Sequence, residues 1–380
     1  MTGYLKILAY VAAAFVLLLI YFGYRAYTAN DLEKRLSEEE PIGIRVALVN
    51  EENDDALEVL GQVVLYPHHD RILFYLLNTD ASYEGDDDPI SSESPRSADR
   101  FSRYTGVDND YTATVTRANL ARLLDLAEGL NVFLEDAVIL ENGLFQYPRG
   151  RQYWPGEQVV EYALGRVKQE PDRVHLSGVE RLLRIESVLL NYFWNKQEYL
   201  AKFNDPALWL AAAGLIDMSL SPAEARSLLE FIARDEVHSS VLEVPLEQVA
   251  VTRFRKRLVV KDQRAKLLYN GFSDDMAAGR LNSDQFSMEV LNGTEISRLA
   301  NRVQQYMKDR GGQVLDADNY PYKPVYETVV LERSGNSYNA RKLLEITGMK
   351  PERVYFRRQV TDVKISLVLG EDFDIKKFFK

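Results

Sequence analysis

The chain has 380 residues, 46% of them apolar, so it can bury more than one core, and length alone points to two or three domains. A net charge of −11 excludes a general nucleic-acid binder, which needs a basic face. Cysteine is absent, so a disulfide framework and a thiolate site are excluded. The only histidines, His68, His69, His175 and His238, are too few for a His-rich zinc site.

Between Lys6 and Arg25 lie eighteen uncharged residues, near the lower limit for crossing a bilayer as a helix. Tyr4, Tyr21, Tyr24 and Tyr27 flank the run as an interfacial aromatic belt does. An uncleaved single-pass anchor over 1–27 is expected, with a cleaved signal peptide as the alternative. Residues 28–43 read as a charged linker or short helix leaving the membrane, with Pro41 near its end.

An α/β domain is expected over 44–270. Runs at 44–49, 61–66 and 71–77 are rich in β formers, the last following a turn at 67–70. Acids dominate 80–104. Asp86, Asp87 and Asp88 suit either a hard cation or, more commonly, a solvated loop. Leu120, Leu123, Leu124 and Ala127 mark an amphipathic helix closed near Gly129, and 131–134 and 137–140 read as strands.

The stretch 154–190 is the richest in candidate chemistry. Pro155 and Gly156 lead into an apolar helix ending near Arg166, and Ser177 with Glu180 three residues on has the form of a capping box opening a second helix. On that helix Arg181 and Arg184 stand at i and i+3 and share a face, with Leu182, Ile185 and Leu189 opposite. Three guanidinium forks, Arg166, Arg181 and Arg184, suit a phosphate group. The alternative is that Arg184 pairs with Glu180 on a solvated face.

Helices follow at 207–215 and 222–234, the second opened by Ser221-Pro222-Ala223-Glu224. Strands are expected at 241–251 and 258–260. Arg253, Arg255 and Arg257, with Lys256 and Lys261 nearby, form either a solvated edge or a surface for anionic headgroups. Residues 271–286 read as a linker, and 287–380 as a small α+β domain of order β-α-β-α-β-β. Asn292-Gly293-Thr294 suits a turn and helix cap, or an anion.

The segments LLDLAEGLNVFL (123–134), WPGEQVVEYALGR (154–166) and VERLLRIESVL (179–189) resemble successive landmarks of the LytR-CpsA-Psr family. Leu-Asn-Gly-Thr at 291–294, Leu-Leu-x-x-Thr-Gly at 343–348 and Val-Leu-Gly-Glu-Asp-Phe at 368–373 resemble the LytR C-terminal domain. The resemblance implies a three-layer α/β/α domain behind one anchor, on the outer side of the cytoplasmic membrane. It implies a polyprenyl pyrophosphate lipid in a long apolar pocket, and Mg2+-dependent transfer of its glycopolymer phosphate onto peptidoglycan. By position, Arg166, Arg181, Arg184 and Asp80 would contact phosphate, and Glu58 and Asp80 metal.

This chain departs from the family pattern. Arg-x-Arg has become Leu164-Gly165-Arg166, and Pro-Arg-Asp falls on Asn78-Thr79-Asp80. The acid and glutamine flanking the helix arginines fall on Gly178 and Ile185, and an early aspartate on Glu58. Each charged hydrogen bond to pyrophosphate contributes about 1.5–3 kcal/mol, so losing two arginines should cripple transfer. The expectation is an envelope protein with a degenerate domain that binds polyprenyl-linked lipid or wall glycan without efficient catalysis; the alternative is an active phosphotransferase using Mg2+. A transcription regulator is disfavoured by the lack of a helix-turn-helix or basic domain, so nucleic acid is not an expected partner.

Overall fold

The computed structural model describes residues 30–52, 56–93, 100–168, 177–252, 255–282, 286–310, 312–374 and 378. The expected anchor lies outside these residues, as does Arg253. Among the described residues no helix is long and apolar enough to cross a membrane.

Helix α1 (Asp31–Ser37) opens on a capping box in which the Asn30 and Glu33 side chains each accept from the other's backbone N–H. Then β1 (Ile42–Asn50), β2 (Ala56–Tyr66) and β3 (Arg71–Leu77) form an antiparallel meander. Every residue of β3 is buried, as expected of a strand covered on both faces. After β4 (Ser82–Tyr83) and α2 (Phe101–Thr105), β5 (Asn109–Thr116) lies parallel to β1. Thr116 caps α3 (Arg117–Leu126), and Gly129 takes a left-handed φ of 67° where the chain turns back.

The hairpin of β6 (Leu130–Leu134) and β7 (Gly150–Trp154) leads to α4 (Gly156–Leu164), α5 (Ser177–Trp194), α6 (Lys196–Lys202) and α7 (Pro206–Ala213). β8 (Asp217–Met218), α8 (Pro222–Ile232) and β9 (His238–Val241) follow. β10 (Leu246–Thr252), β11 (Arg255–Val260) and α9 (Asp262–Ala277) close the domain. The main sheet has the order β8-β5-β1-β2-β3-β9, and β10-β11-β4 is a smaller one.

Strand alternation sorts the core into layers. Leu48 packs with Leu124 of α3 and Val159 of α4 on one face. Ala47, Val49, Tyr75 and Leu77 pack with Phe101 of α2 and Ala265 of α9 on the other. This is the α/β/α layering expected from sequence.

Some expectations change. The 131–134 strand exists, but β6 pairs only with β7, outside the main sheet; 137–140 makes only isolated bridges, Val138 to Tyr147 and Leu140 to Val167. The expected linker at 271–286 begins as the last turns of α9, where Phe272 and Met276 are buried.

The C-terminal domain comprises β12 (Ser287–Asn292), α10 (Leu299–Lys308), β13 (Gln313–Asn319), β14 (Val329–Glu332), α11 (Ser337–Thr347), β15 (Val354–Phe356) and β16 (Ile365–Leu369). Its sheet order is β13-β12-β16-β14-β15. The extra strand relative to the expected β-α-β-α-β-β order is β13, a largely exposed edge whose aspartates hide any apolar run.

The two domains share one core, running from Ile42 and Phe74 through Leu190 and Phe193 of α5 to Leu343 and Phe356. Polar contacts stitch the same seam. Asn191 donates to Phe356 O at 2.9 Å and accepts from Phe356 N at 3.0 Å. Arg358 reaches Glu186 at 3.0 Å and Glu243 at 2.8 Å. Arg333 grips Glu135 with both terminal nitrogens, at 2.5 and 2.7 Å.

Candidate functional site

Three parallel strands, β1, β3 and β5, end at one edge of the main sheet, and a cavity of about 390 Å³ opens there. Open α/β sheets bind ligands at this edge, because the loops leaving the strands diverge and leave room. Asn50 closes β1, Glu58 opens β2, Thr79 and Asp80 follow β3, and Arg117 follows β5. Glu161, Leu164, Gly165 and Arg166 come from the end of α4, Arg181 from α5, and Glu141 and Asn142 from the loop after β6.

Arg117 bridges two carboxylates, 3.4 Å from Glu58 and hydrogen-bonded to Glu161, which also accepts from Asn142. Glu58 accepts from Asn50 at 3.0 Å, and its other oxygen is buried without a protein donor. Burial pushes the Glu58 carboxyl above the ordinary range, against the pull of Arg117. Arg181 donates to Thr79 Oγ1 at 3.0 Å and pairs with Asp80 at 3.1 Å. Arg166 is exposed at the rim.

Glu58, Asp80, Arg166 and Arg181 therefore meet at one cavity, and Arg184 does not. Arg184 is 4% exposed, its guanidinium donating from Nε to Tyr162 O at 2.8 Å and from a terminal nitrogen to Gly165 O. It caps the carbonyls that end α4, where the helix dipole favours a cation. The i and i+3 spacing put both arginines on one face, toward a shared phosphate, but α5 is covered on both sides, and the two side chains part. Burial lowers Arg184 to about 10.

Gly178, standing where the family has an acid, explains that departure: a Cβ there would lie 2.9 Å from Asn78 Nδ2 and 3.1 Å from Asp80. The acid run at 86–88 is also occupied, with Asp86 on Arg100 at 2.7 Å and Asp87 on Arg257 at 2.6 Å. Lys261 pairs with Glu84 and Glu247, so the described part of the basic stripe faces carboxylates of its own chain. Asn292 accepts from Thr294 N and Oγ1 and donates to Ile296 O, the self-contained turn of the two readings.

Among the described residues, no three His, Cys, Asp or Glu side chains are placed to hold a metal ion. Glu58 and Asp80, the expected ligands, each face an arginine instead. As they stand, these residues do not fit Mg2+, which demands near-octahedral oxygen ligands.

Sequence reasoning missed Asn50, Arg117, Asn142 and Glu161. Arg117 carries a readable signal, since it follows a Thr cap at a strand-to-helix junction. Glu161 carries none, since it shares the polar side of α4 with Glu157 and is buried only by the loop and strands packed there.

Residues 285–373 match the LytR_C family, described as LytR cell envelope-related transcriptional attenuator. No curated protein matches the chain in sequence. Among solved structures it resembles TagT bound to LI-WTA, with a TM-score of 0.51 and 12% identity over 66% of this chain and 94% of that one. A transcriptional regulator from Enterococcus faecalis gives 0.50 and 13%, covering 66% and 91%. Protein gbs0355 from Streptococcus agalactiae gives 0.50 and 12%, covering 64% and 90%. At such identities the likeness shows the fold alone. The chain thus joins a mixed α/β domain to a compact C-terminal one. That C-terminal unit is a LytR_C domain, and the structural neighbours include the LytR-CpsA-Psr protein TagT.

Proposed function

We propose that the chain is a membrane-tethered envelope protein on the outer side of the cytoplasmic membrane. Its cavity recognises wall glycan, or the sugar-phosphate end of a polyprenyl-linked lipid, without efficient transfer. The LytR_C match and the fold shared with TagT support the envelope setting. The observation that carries the binding mode is the cavity's charge. Its three arginines, 117, 166 and 181, meet four acids, 58, 80, 141 and 161, a net of 3 − 4 = −1.

A pyrophosphate entering this site would have to displace carboxylates from Arg117 and Arg181. Sugar hydroxyls both donate and accept, so they can be satisfied by alternating carboxylate, amide and guanidinium groups without breaking those pairs. The second reading, an active phosphotransferase, is favoured by the convergence of three arginines at the ligand-binding edge of the sheet. It requires a ligand to reorganise the pairs, since Glu58 and Asp80 as placed do not fit Mg2+.

The test uses the purified full chain in detergent. Calorimetry with soluble wall-glycan fragments should show binding that weakens at least tenfold in Arg117→Ala, about 1.4 kcal/mol or more. A polyprenyl-pyrophosphate-linked glycopolymer supplied with Mg2+ and peptidoglycan should not turn over. Mg2+-dependent turnover abolished by Arg181→Ala would establish the transferase and end the degenerate reading.

A further inference from the structure

Helix α7, PALWLAAA, carries no polar side chain on any face, and the charge-free run continues to Ile216. A helix apolar all round is normally buried. Here Pro206, Ala207, Leu210 and Ala211 are exposed, Leu210 to 65%, and only Ala212 is fully buried. Trp209 is half-buried against the core that also holds Leu32 of α1 and Phe231 of α8. Eight residues are too few to span a bilayer.

The position of α7 relative to the chain's entry says what covers it. Asn30, the first described residue, donates to Ser227 of α8 at 2.9 Å. The preceding residue on α8, Arg226, holds Phe203 O at 2.9 Å and Asn204 at 3.0 Å, just before α7 begins. Tyr24, the last residue of the uncharged run, precedes Asn30 by six residues, at most ~20 Å of extended chain. The exposed face of α7 therefore stands on the side of the domain where the described chain begins, at Asn30.

We propose that α7 is a membrane-docking helix, seated in the lipid surface beside the N-terminal tether. Leu210 enters the acyl boundary, and Trp209 lies at headgroup level, where tryptophan is enriched. Docking at a second point fixes the domain's orientation on the bilayer rather than leaving it swinging on a single chain. With no charge between Pro206 and Ile216, the contact is apolar and should be insensitive to salt. The proposal rests on the tethered reading above.

The absence of native cysteine allows single-site labelling of the full chain in phosphatidylcholine–phosphatidylglycerol vesicles. A fluorophore on Leu210→Cys should be quenched by doxyl lipid and should lose its iodide quenching, at low and high salt alike. One on Leu268→Cys, an exposed site on α9 in the opposite layer, should show the reverse. Tyr24→Cys reports the tether separately. Iodide access at 210 with lipid quenching at 24 overturns the docking and leaves the tether standing; iodide access at both sites overturns the two together. Shielding of 210 from both quenchers, with energy transfer between labelled copies, assigns the face to a second copy and also overturns the proposal.

Discussion

The cavity and the interdomain seam are built from the same parts, guanidinium against carboxylate, yet the solvent around them differs. In the cavity, the Arg117 and Arg181 side chains are 30% and 13% exposed, and their carboxylate partners range from 7% at Glu161 and 15% at Glu58 to 39% at Asp80. In the seam, Arg358 and Glu186 are 5% and 1% exposed. A pair beside water keeps donors and acceptors turned to solvent, where a ligand can meet them without breaking the pair. A buried pair has none to offer, and separating it would leave an unsolvated charge. Burial, more than residue type, makes one group of pairs a recognition surface and the other a fastening.

The largest effect expected from this contrast is at Arg358. Arg358→Ala strands the buried Glu186 carboxylate and should cost about 3–5 kcal/mol in chemical denaturation. A loss below about 1 kcal/mol would erase the distinction between seam and cavity.

Glu186 sharpens it through pH. Burial pushes its carboxyl up to about 7, with Arg358 pulling the other way. The folded protein thus holds this proton more tightly than the unfolded chain does. Stability from this group is present below the unfolded value of 4.5 and is lost as pH rises through about 7. Glu186→Gln should remove that slope, on the order of 3 kcal/mol across the window, measured by denaturation midpoints at several pH values.

Arg184→Ala should cost about 2 kcal/mol by freeing the carbonyls that end α4, and it should also weaken ligand binding by loosening Gly165 and Arg166. Smallest in stability is Arg181→Ala, at most about 1 kcal/mol, although glycan binding should fall. Those two variants separate support from contact: a thermal shift with weaker binding marks Arg184, and weaker binding without the shift marks Arg181.

Where a local signal was strong, the sequence could be read. The Ser221 and Glu224 capping box does open α8, both halves of it formed. Gly348 closes α11 with a φ of 65°, inside the motif that resembles the LytR C-terminal domain. Gly293 in the Leu-Asn-Gly-Thr motif has Val325 where a Cβ would stand, at 2.6 Å, so the residue is needed for close packing. Arg181 and Asp80 were readable from the resemblance as members of one site.

The rest of the site was hidden because its members are local to nothing. Asn50, Arg117, Asn142 and Glu161 come from separate segments, and only sheet topology brings them together. Arg184 misled for another reason. Helical spacing shows which residues share a face, but not what lies against it. At Arg184 what lies against it is the end of α4, and further along the same helix it is the C-terminal domain, through contacts such as Asn191 with Phe356.

The placement of β16 has a consequence for biogenesis. It is the last strand among the described residues, yet it occupies the middle of its sheet, paired to β12 on one side and β14 on the other. Until residues 365–369 emerge from the ribosome and any translocation channel, β12 and β14 have no common neighbour and both expose strand edges. A stop codon placed just before Ile365 would therefore remove the keystone rather than a tail. The nascent protein must be shielded until residues 365–369 have emerged, which makes this sheet a natural client for a chaperone wherever it folds.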